Sequence, residues 1–174
     1  NSKSARARDI TAAIKLLPSI QETNLSEENA KDIVKDLEQC FLVPNYIKTA
    51  KGRKFLTRIF LLQLFRMRDF TNVIKKSLQQ NQDASLMGEI AVSAWINADA
   101  TERVNMQSTL LHDVIDCAIL SSSPTFVKNC RLFLEPFHSK RRRNELANAL
   151  VNLYEGVLFR YLHAANPIVR LNAL

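Results

Sequence analysis

The chain has 174 residues, of which 47% are hydrophobic and 24% are charged, and this balance excludes a long disordered tail or a collagen-like repeat. It contains three glycines where average usage would give roughly twelve, so tight β-hairpins and phosphate-cradling loops, which depend on positive φ, are mostly excluded. Lysine and arginine number 24 against 17 acidic residues, which gives a formal charge of +7 and predicts a basic, helical chain of one domain.

Apolar residues recur at spacings of three and four along the first half of the chain, which is the period of an amphipathic helix. The first predicted helix is ended or kinked by Pro18, and the second has Ser26 as its N-cap. A third is expected over about Ala50–Arg66, and the next two begin at the caps Asp69 and Asp83. The inward residues predicted for these five helices are Ile10, Ala13, Ile14, Leu17, Ala30, Ile33, Val34, Leu37, Phe41, Phe55, Ile59, Leu62, Phe65, Val73, Ile74, Leu78, Leu86, Ile90, Ala94 and Trp95.

Four more helices are predicted in the second half. The sixth opens at Thr101, and the seventh begins at Pro124 after a run of three serines, because serine is a favoured N-cap and proline a favoured first helical residue. An eighth starts near Ser139 with a bend at Gly156, and the last begins at Pro167. The inward residues predicted here are Val104, Leu111, Ile115, Ile119, Val127, Cys130, Leu134, Phe137, Leu146, Leu150, Leu153, Val157 and Phe159.

About nine helices with short loops and no strand signal predict an all-α fold. Stacked helical pairs are the favoured arrangement, in the form of a right-handed α-α superhelix of the HEAT or armadillo type. A compact helical bundle is the alternative, because the helices do not align at a fixed period in the sequence.

The cysteines and the hydrophobic runs limit the cellular setting. Cys40, Cys117 and Cys130 form no CxxC pair and match no zinc-binding spacing, so they predict free thiols in a reducing compartment, the cytosol or nucleus. The longest apolar run, Ile59–Phe65, contains Gln63 and is too short for a membrane span. We therefore expect no membrane segment and no signal peptide.

Residues typical of catalysis are scattered. The three histidines stand far apart, and no Walker sequence, nucleophile elbow or dinucleotide fingerprint occurs. Asp113 and Asp116 share a helix face and could hold a divalent metal, although the scatter of acids along this helix favours solvation. The sequence thus predicts a protein that is not an enzyme and needs no cofactor, with a helical metal-dependent hydrolase as the weakest alternative.

The positive charge is concentrated in two stretches. Residues 48–76 hold nine bases against one acid, residues 83–116 hold six acids against one base, and residues 128–143 hold six bases against one acid. Such patches can neutralise the phosphates of nucleic acid, whereas the alternatives are solvated helix faces, an acidic protein partner or a nuclear import receptor. The candidate DNA-binding residues are Lys51, Arg53, Lys54, Arg58, Lys140, Arg141, Arg142 and Arg143.

Four stretches, in order along the chain, resemble the G-type HEAT-repeat subunits of condensin II. They are Cys40–Leu56 (CFLVPNYIKTAKGRKFL), Gly88–Ala98 (GEIAVSAWINA), Val127–Phe133 with the FHSKRRR that ends its helix, and Leu153–Leu174. The last stretch is also similar to the turn of a HEAT repeat, with Asn166 where such repeats usually carry Asp.

The resemblance implies a non-catalytic solenoid, in which residues 1–174 form a single segment of a larger N-terminal solenoid. A missing initiator methionine and a helical pattern still open at Leu174 also lead us to expect a piece of a longer protein. The implied partners are the kleisin subunit of condensin II, through it the SMC ATPase subunits, and double-stranded DNA in the nucleus on mitotic chromosomes. The alternative is a helical adaptor that binds acidic peptides and does not contact DNA.

Overall fold

The structure is a computed structural model, and it describes residues 27–62, 67–80, 83–140 and 144–174, together with Ala12 and Lys15. For residues 27–30 and 67–69 only the backbone is described. Apart from Ala12 and Lys15, the first predicted helix lies outside these ranges. So do Pro18, the predicted cap Ser26 and the predicted core residue Phe65.

The described residues are helical throughout, apart from short connections, which confirms the all-α prediction. None of these helices is long and apolar enough to cross a membrane. The helices are α1 (Glu27–Gln39), α2 (Pro44–Lys48), α3 (Ala50–Phe60), α4 (Met67–Gln79), α5 (Ala84–Asn97), α6 (Ala100–Asn105), α7 (His112–Leu120), α8 (Pro124–Ser139), α9 (Asn144–Leu162) and α10 (Pro167–Ala173). A 3₁₀ turn (Cys40–Leu42) follows α1, and a π-helical segment (Met106–Leu111) joins α6 to α7.

The chain alternates between two layers of helices. In the first layer, α5 packs between α3 and α8. In the second layer, α4 packs on the π segment, and the π segment and α7 pack on α9. The last helix, α10, lies against α7 and α9. Successive helices thus pass from one layer to the other, which is the arrangement expected of stacked helical pairs.

Contacts within the second layer join residues at a constant separation in sequence. Arg103 Nη1 lies 2.7 Å from Glu145 Oε2, and Gln107 Nε2 donates to the Ala149 carbonyl at 2.9 Å, in each case across 42 residues. From the first contact to the second, both partners lie four residues further toward the C-terminus, so the α6–π segment and α9 run parallel. The spacing falls within the roughly 40–47-residue period of HEAT and armadillo repeats. The right-handed superhelix itself stays a prediction.

The core is apolar and is rich in aromatic side chains at its N-terminal end. The Phe41 and Phe70 rings meet edge to face at 4.7 Å, and the Phe60 ring lies 4.1 Å from that of Phe70. Trp95 is 3% exposed in the middle of the first layer, which confirms its predicted place as a core anchor between helices. These contacts fix α3 and α4 against the 3₁₀ turn.

Two predicted helix starts are wrong. α4 begins at Met67, so that Asp69 lies in its first turn and not at its cap. Ser139 is the last residue of α8, where its hydroxyl donates to a carbonyl of the preceding turn at 2.9 Å, so it closes one helix and does not open the next. α9 begins at Asn144 and runs without a break through Gly156, where the sequence predicts a bend.

The sixth predicted helix changes phase along its length. It begins at Ala100, one residue before the predicted Thr101, and Asp99 caps it with a capping box. The wider turn of the π segment rotates the side chains before it relative to those after it. As a result Val104, which is predicted to face inward, is 62% exposed, whereas Ile115 is 3% exposed as predicted.

Three further differences concern helix ends and short elements. α3 ends at Phe60, short of the predicted Arg66. Phe159 is predicted to face inward but is 62% exposed, since Leu158 and Tyr161 take the half-buried positions at this end of α9. α2 and the 3₁₀ turn are absent from the prediction because elements of five residues or fewer are too short to show a helical period.

Candidate nucleic-acid interface

Three bases form one row on the surface of the first layer. Lys51, Lys54 and Arg58 occupy positions i, i+3 and i+7 of α3, which share a helix face, and all three side chains are exposed. The opposite face of α3 is buried through Phe55 and Ile59. α3 contains no acidic residue. We call Lys51, Lys54 and Arg58 the basic row.

The turn between α2 and α3 sets the direction of the basic row. Thr49 is the N-cap of α3, and its hydroxyl accepts from the Gly52 backbone N–H at 3.1 Å. A Cβ at Gly52 would overlap the Tyr46 carbonyl oxygen, so this close approach of α2 to α3 requires glycine. The two helices are therefore held at a fixed angle.

Arg53 lies on the same helix as the basic row but is already engaged. Its Nη1 donates to the carbonyls of Ile47 at 3.1 Å and Lys48 at 3.2 Å, and its Nε lies 3.6 Å from a carboxylate oxygen of Glu89. The side chain is 27% exposed. Arg53 therefore caps the C-terminal end of α2 and joins α3 to α5, and its contact with DNA stays a prediction.

A polar groove runs beside the basic row, between α3 and α5. It has a volume of about 310 Å³, and Lys54 and Thr57 on α3 face Ser93 and Asn97 on α5 across it. Lysine, hydroxyl and amide groups are the donors that contact phosphate oxygens in nucleic-acid complexes. Glu89 also lines the groove, with its charge offset by Arg53.

The acidic middle of the chain neutralises part of the first basic stretch. Lys48 Nζ lies 3.5 Å from Asp83, and Lys75 Nζ lies 3.1 Å from Asp113, 38 residues along the chain. With Arg53 and its partner on α5, at least three of the bases in residues 48–76 whose side chains the structure describes therefore face carboxylates. Sequence counting alone overstates the charge available to an external ligand.

The second predicted patch is described only in part. Lys140 is exposed and follows the last residue of α8, whereas the adjacent Arg141, Arg142 and Arg143 lie outside the described residues. Lys128 and Arg131 belong to the bases of this stretch but are not among the predicted DNA-binding residues. Both are exposed at positions i and i+3 of α8, and this spacing was the signal that could have found them.

The two aspartates considered for a metal each contact a nitrogen of another side chain. Asp113 faces Lys75 from the neighbouring helix, as above, and Asp116 Oδ2 lies 3.3 Å from His112 Nδ1. In the part of the chain that the structure describes, no group of three or more histidine, cysteine, aspartate or glutamate side chains is arranged to hold a metal. The arrangement thus offers nothing in favour of a metal-dependent hydrolase.

The cysteines and tyrosines of the interior are held in their neutral forms. All three cysteines are free, and burial raises the pKa of each thiol, in the case of Cys130 to about 12. Burial also raises the pKa of Tyr154 to about 12. The Tyr154 hydroxyl lies 2.7 Å from His138 Nε2, and the two rings stack. None of these thiols is activated as a nucleophile, because only the thiolate is reactive.

Comparisons with known proteins agree with one another. A family model described as the condensin II non structural maintenance of chromosomes subunit matches residues 39–174. The condensin-2 complex subunit G2 of Xenopus laevis is 30% identical over 99% of this chain and 16% of its own length. The proteins of the same name from Mus musculus and Homo sapiens are 31% and 30% identical over 84% of this chain and 13% of their own length. The chain therefore spans only a small part of these relatives. No solved structure matches it.

Proposed function

The chain belongs to the family of condensin II subunits that are not structural-maintenance-of-chromosomes proteins, and on that premise we propose that it is a non-catalytic helical scaffold binding the kleisin subunit and double-stranded DNA. Residues 1–174 would form a single segment of a larger N-terminal HEAT-repeat solenoid. Through the kleisin it would be joined to the SMC ATPase subunits, in the nucleus and on chromosomes during mitotic condensation. ATP hydrolysis would then belong to other chains of the complex.

The basic row is the main observation in favour of the proposed binding of double-stranded DNA. Lys51, Lys54 and Arg58 point away from the core on a helix without acids, next to a groove lined with hydroxyl and amide donors. Such an arrangement neutralises phosphates without reading the bases, and its affinity falls with salt as condensed counterions are released. Lys128 and Arg131 on α8 extend positive charge to the far side of α5 in the same layer.

The test is duplex-DNA binding measured over a range of salt concentrations. Replacing Lys51, Lys54 and Arg58 with Glu is expected to weaken binding and to reduce the slope of log K against log salt by about one unit for each lost phosphate contact. Arg141, Arg142 and Arg143 form a second, independent set for the same substitution. Lys35→Glu makes one such charge reversal on the exposed face of α1, outside both sets, and is expected to leave the slope unchanged.

The adaptor alternative gives a different outcome in the same assay. If the chain binds acidic peptides and not DNA, an acidic peptide will bind without competition from duplex DNA, and the salt slope for DNA will be flat in the unmodified chain. An unchanged slope in both sets of variants would remove the basic row and residues 141–143 from the proposal.

The kleisin half is tested separately by mixing the chain with the purified kleisin subunit. Co-elution on size exclusion and a saturable binding curve are expected at moderate salt. Absence of binding would remove the kleisin from the function of this segment and would leave the DNA half standing. Retained kleisin binding by the basic-row variant would show that the two partners use different surfaces.

A further inference from the structure

We propose that a second groove, between the α6–π–α7 segment and α9, binds a short segment of another protein with an aliphatic side chain at one end and a carboxylate at the other. The groove has a volume of about 280 Å³ and is lined by Val104, Ser108, His112, Asn152, Gly156 and Arg160, among others. It lies in the second layer, whereas the basic row lies in the first. We call it the peptide groove. It is therefore separate from the surface that we propose binds DNA, and its partner is defined by chemistry alone.

Gly156 has no role in the packing of this fold. It is exposed in the interior of the 19-residue helix α9, and a Cβ added there would meet no atom within 4 Å. Glycine weakens a helix interior because it loses more backbone entropy on folding than any other residue. The fold gives no reason for glycine at this place, whereas a ligand whose backbone approaches α9 closely would require it.

The opposite wall of the peptide groove contains the π segment. π-helical turns are rare and are frequently found at functional sites. Here the turn rotates Val104 outward, where it is 62% exposed at one end of the groove. Phe159, which shares a face of α9 with Asn152 and Gly156, is also 62% exposed. Two apolar side chains thus lie beside the groove without burial against the core.

The two ends of the peptide groove differ in their chemistry. Its two walls run parallel, with residues 42 apart in sequence side by side, so Val104 lies at one end, His112 lies about 12 Å further along, and Arg160 lies at the other end, roughly 9 Å beyond His112. None of the described residues that line it is acidic. His112 is paired with Asp116, whereas Arg160 is exposed and lies over the Tyr161 ring, 5.9 Å from its centre. Charge complementarity therefore calls for a carboxylate near Arg160 and an aliphatic side chain near Val104.

The composition of the peptide groove favours a protein over a nucleic acid. Most of its described lining residues are uncharged, and the exposed Phe159 lies on the same face of α9 as Asn152 and Gly156. Protein interfaces are depleted in charge and enriched in aromatic residues, whereas nucleic-acid interfaces are strongly basic. The exposed Asn152 amide and Ser108 hydroxyl can bond to the backbone of an extended or helical segment.

The experiment selects short random peptides against the whole chain by display and then measures the binding of the selected peptide in synthetic form. Selected sequences are expected to share an aliphatic residue and a downstream Asp or Glu. Gly156→Leu adds a side chain at the peptide groove, where its Cβ meets no atom of the fold within 4 Å, and is expected to weaken binding by about tenfold or more. Arg160→Glu is expected to weaken it similarly, and replacing the acidic residue of the peptide with lysine is expected to restore binding to that variant.

Matched controls separate this result from other causes. Asn148→Leu adds a similar side chain to an exposed position of α9 outside the groove and is expected to bind the peptide as the unmodified chain does. Gly156→Leu is expected to keep the salt-dependent DNA binding of the basic row. Failure to enrich any peptide, enrichment of peptides without acids, or equal affinity for Gly156→Leu would each overturn the proposal while leaving the proposed DNA binding untouched.

Discussion

The guanidinium of Arg103 lies 5.0 Å from the centre of the Trp95 ring, and Arg103 Nε donates to the carbonyl of that tryptophan at 3.1 Å. Arg103 also donates from Nη2 to the Ile96 carbonyl at 3.1 Å and from Nη1 to Glu145 at 2.7 Å. One side chain thus satisfies the last carbonyls of α5, stacks on the main aromatic anchor of the first layer and reaches α9 in the second layer.

An arginine bonds to the carbonyls at the end of the preceding helix at two other turns as well. Arg53 bonds to the last carbonyls of α2, and Arg170 Nη1 donates to the carbonyls of Ala164 at 2.6 Å and Ala165 at 2.9 Å after α9. Each of the three arginines follows a helix N-cap by four residues, the caps being Thr49, Asp99 and Asn166. An arginine at this position fixes the angle between consecutive helices because its planar fork bonds two carbonyls at once.

Replacing Arg103 with lysine is expected to lower the free energy of unfolding by about 1–3 kcal/mol, since a single ammonium group cannot bond both carbonyls of α5 and stack on the ring. Urea unfolding at neutral pH measures the change. Glu145→Gln removes only the exposed end of the network and is expected to cost at most about 1 kcal/mol. Equal effects of the two substitutions would contradict the role given to the carbonyl contacts.

Gly88→Ala is expected to destabilise the chain by about 1–3 kcal/mol, because the added Cβ would overlap the Phe133 carbonyl oxygen and force α5 away from α8. The measurement is the urea midpoint together with the slope of the transition. A change of midpoint at constant slope is expected for a packing defect in a chain that remains folded.

Gly156→Ala is expected to change the free energy of unfolding in the opposite direction from Gly88→Ala. The added Cβ meets no atom within 4 Å, and alanine is favoured over glycine in a helix, so stability is expected to rise by up to about 1 kcal/mol. Destabilisation by Gly156→Ala would show that α9 needs glycine for its own packing, and a neutral Gly88→Ala would show that α5 and α8 can separate without cost.

Asn129 joins the two layers through a buried amide. It is 8% exposed, and its Nδ2 donates to the Leu78 carbonyl near the end of α4 at 2.8 Å. Asn129→Leu is expected to lower the free energy of unfolding by about 1–3 kcal/mol because that carbonyl is left without this donor inside the core. Asn148→Leu, on an exposed asparagine of α9, is the control and is expected to have little effect. Equal losses would place the cause in side-chain size and not in the hydrogen bond.

Helix periodicity predicts most of the helices of this fold but not how neighbouring helices are aligned against one another. The stripe containing Phe55 and Ile59 is buried as predicted, since burial follows directly from spacing along one helix. The π segment turns Val104 outward, and no single-helix pattern reveals it because a wider turn depends on the packing of neighbours. In the candidate interface, charge counting finds the basic row but cannot tell that Arg53 is held by two backbone carbonyls, since those contacts exist only after α2 and α3 have packed.

Stability is expected to fall at alkaline pH. Burial raises the pKa of Cys130 and of Tyr154 to about 12 in the folded chain, whereas in the unfolded chain these groups ionise near their ordinary values of about 8.5 and 10. Between those values the unfolded chain loses protons that the folded chain keeps, so the free energy of unfolding is level below about pH 8 and declines as pH rises towards 12. Urea unfolding at a series of pH values measures the decline, and the double variant Cys130→Ala, Tyr154→Phe is expected to flatten it even though its stability at pH 7 is lower. If both chains lose stability with the same slope, the decline arises from other groups, because a shared slope means that neither buried proton is linked to folding.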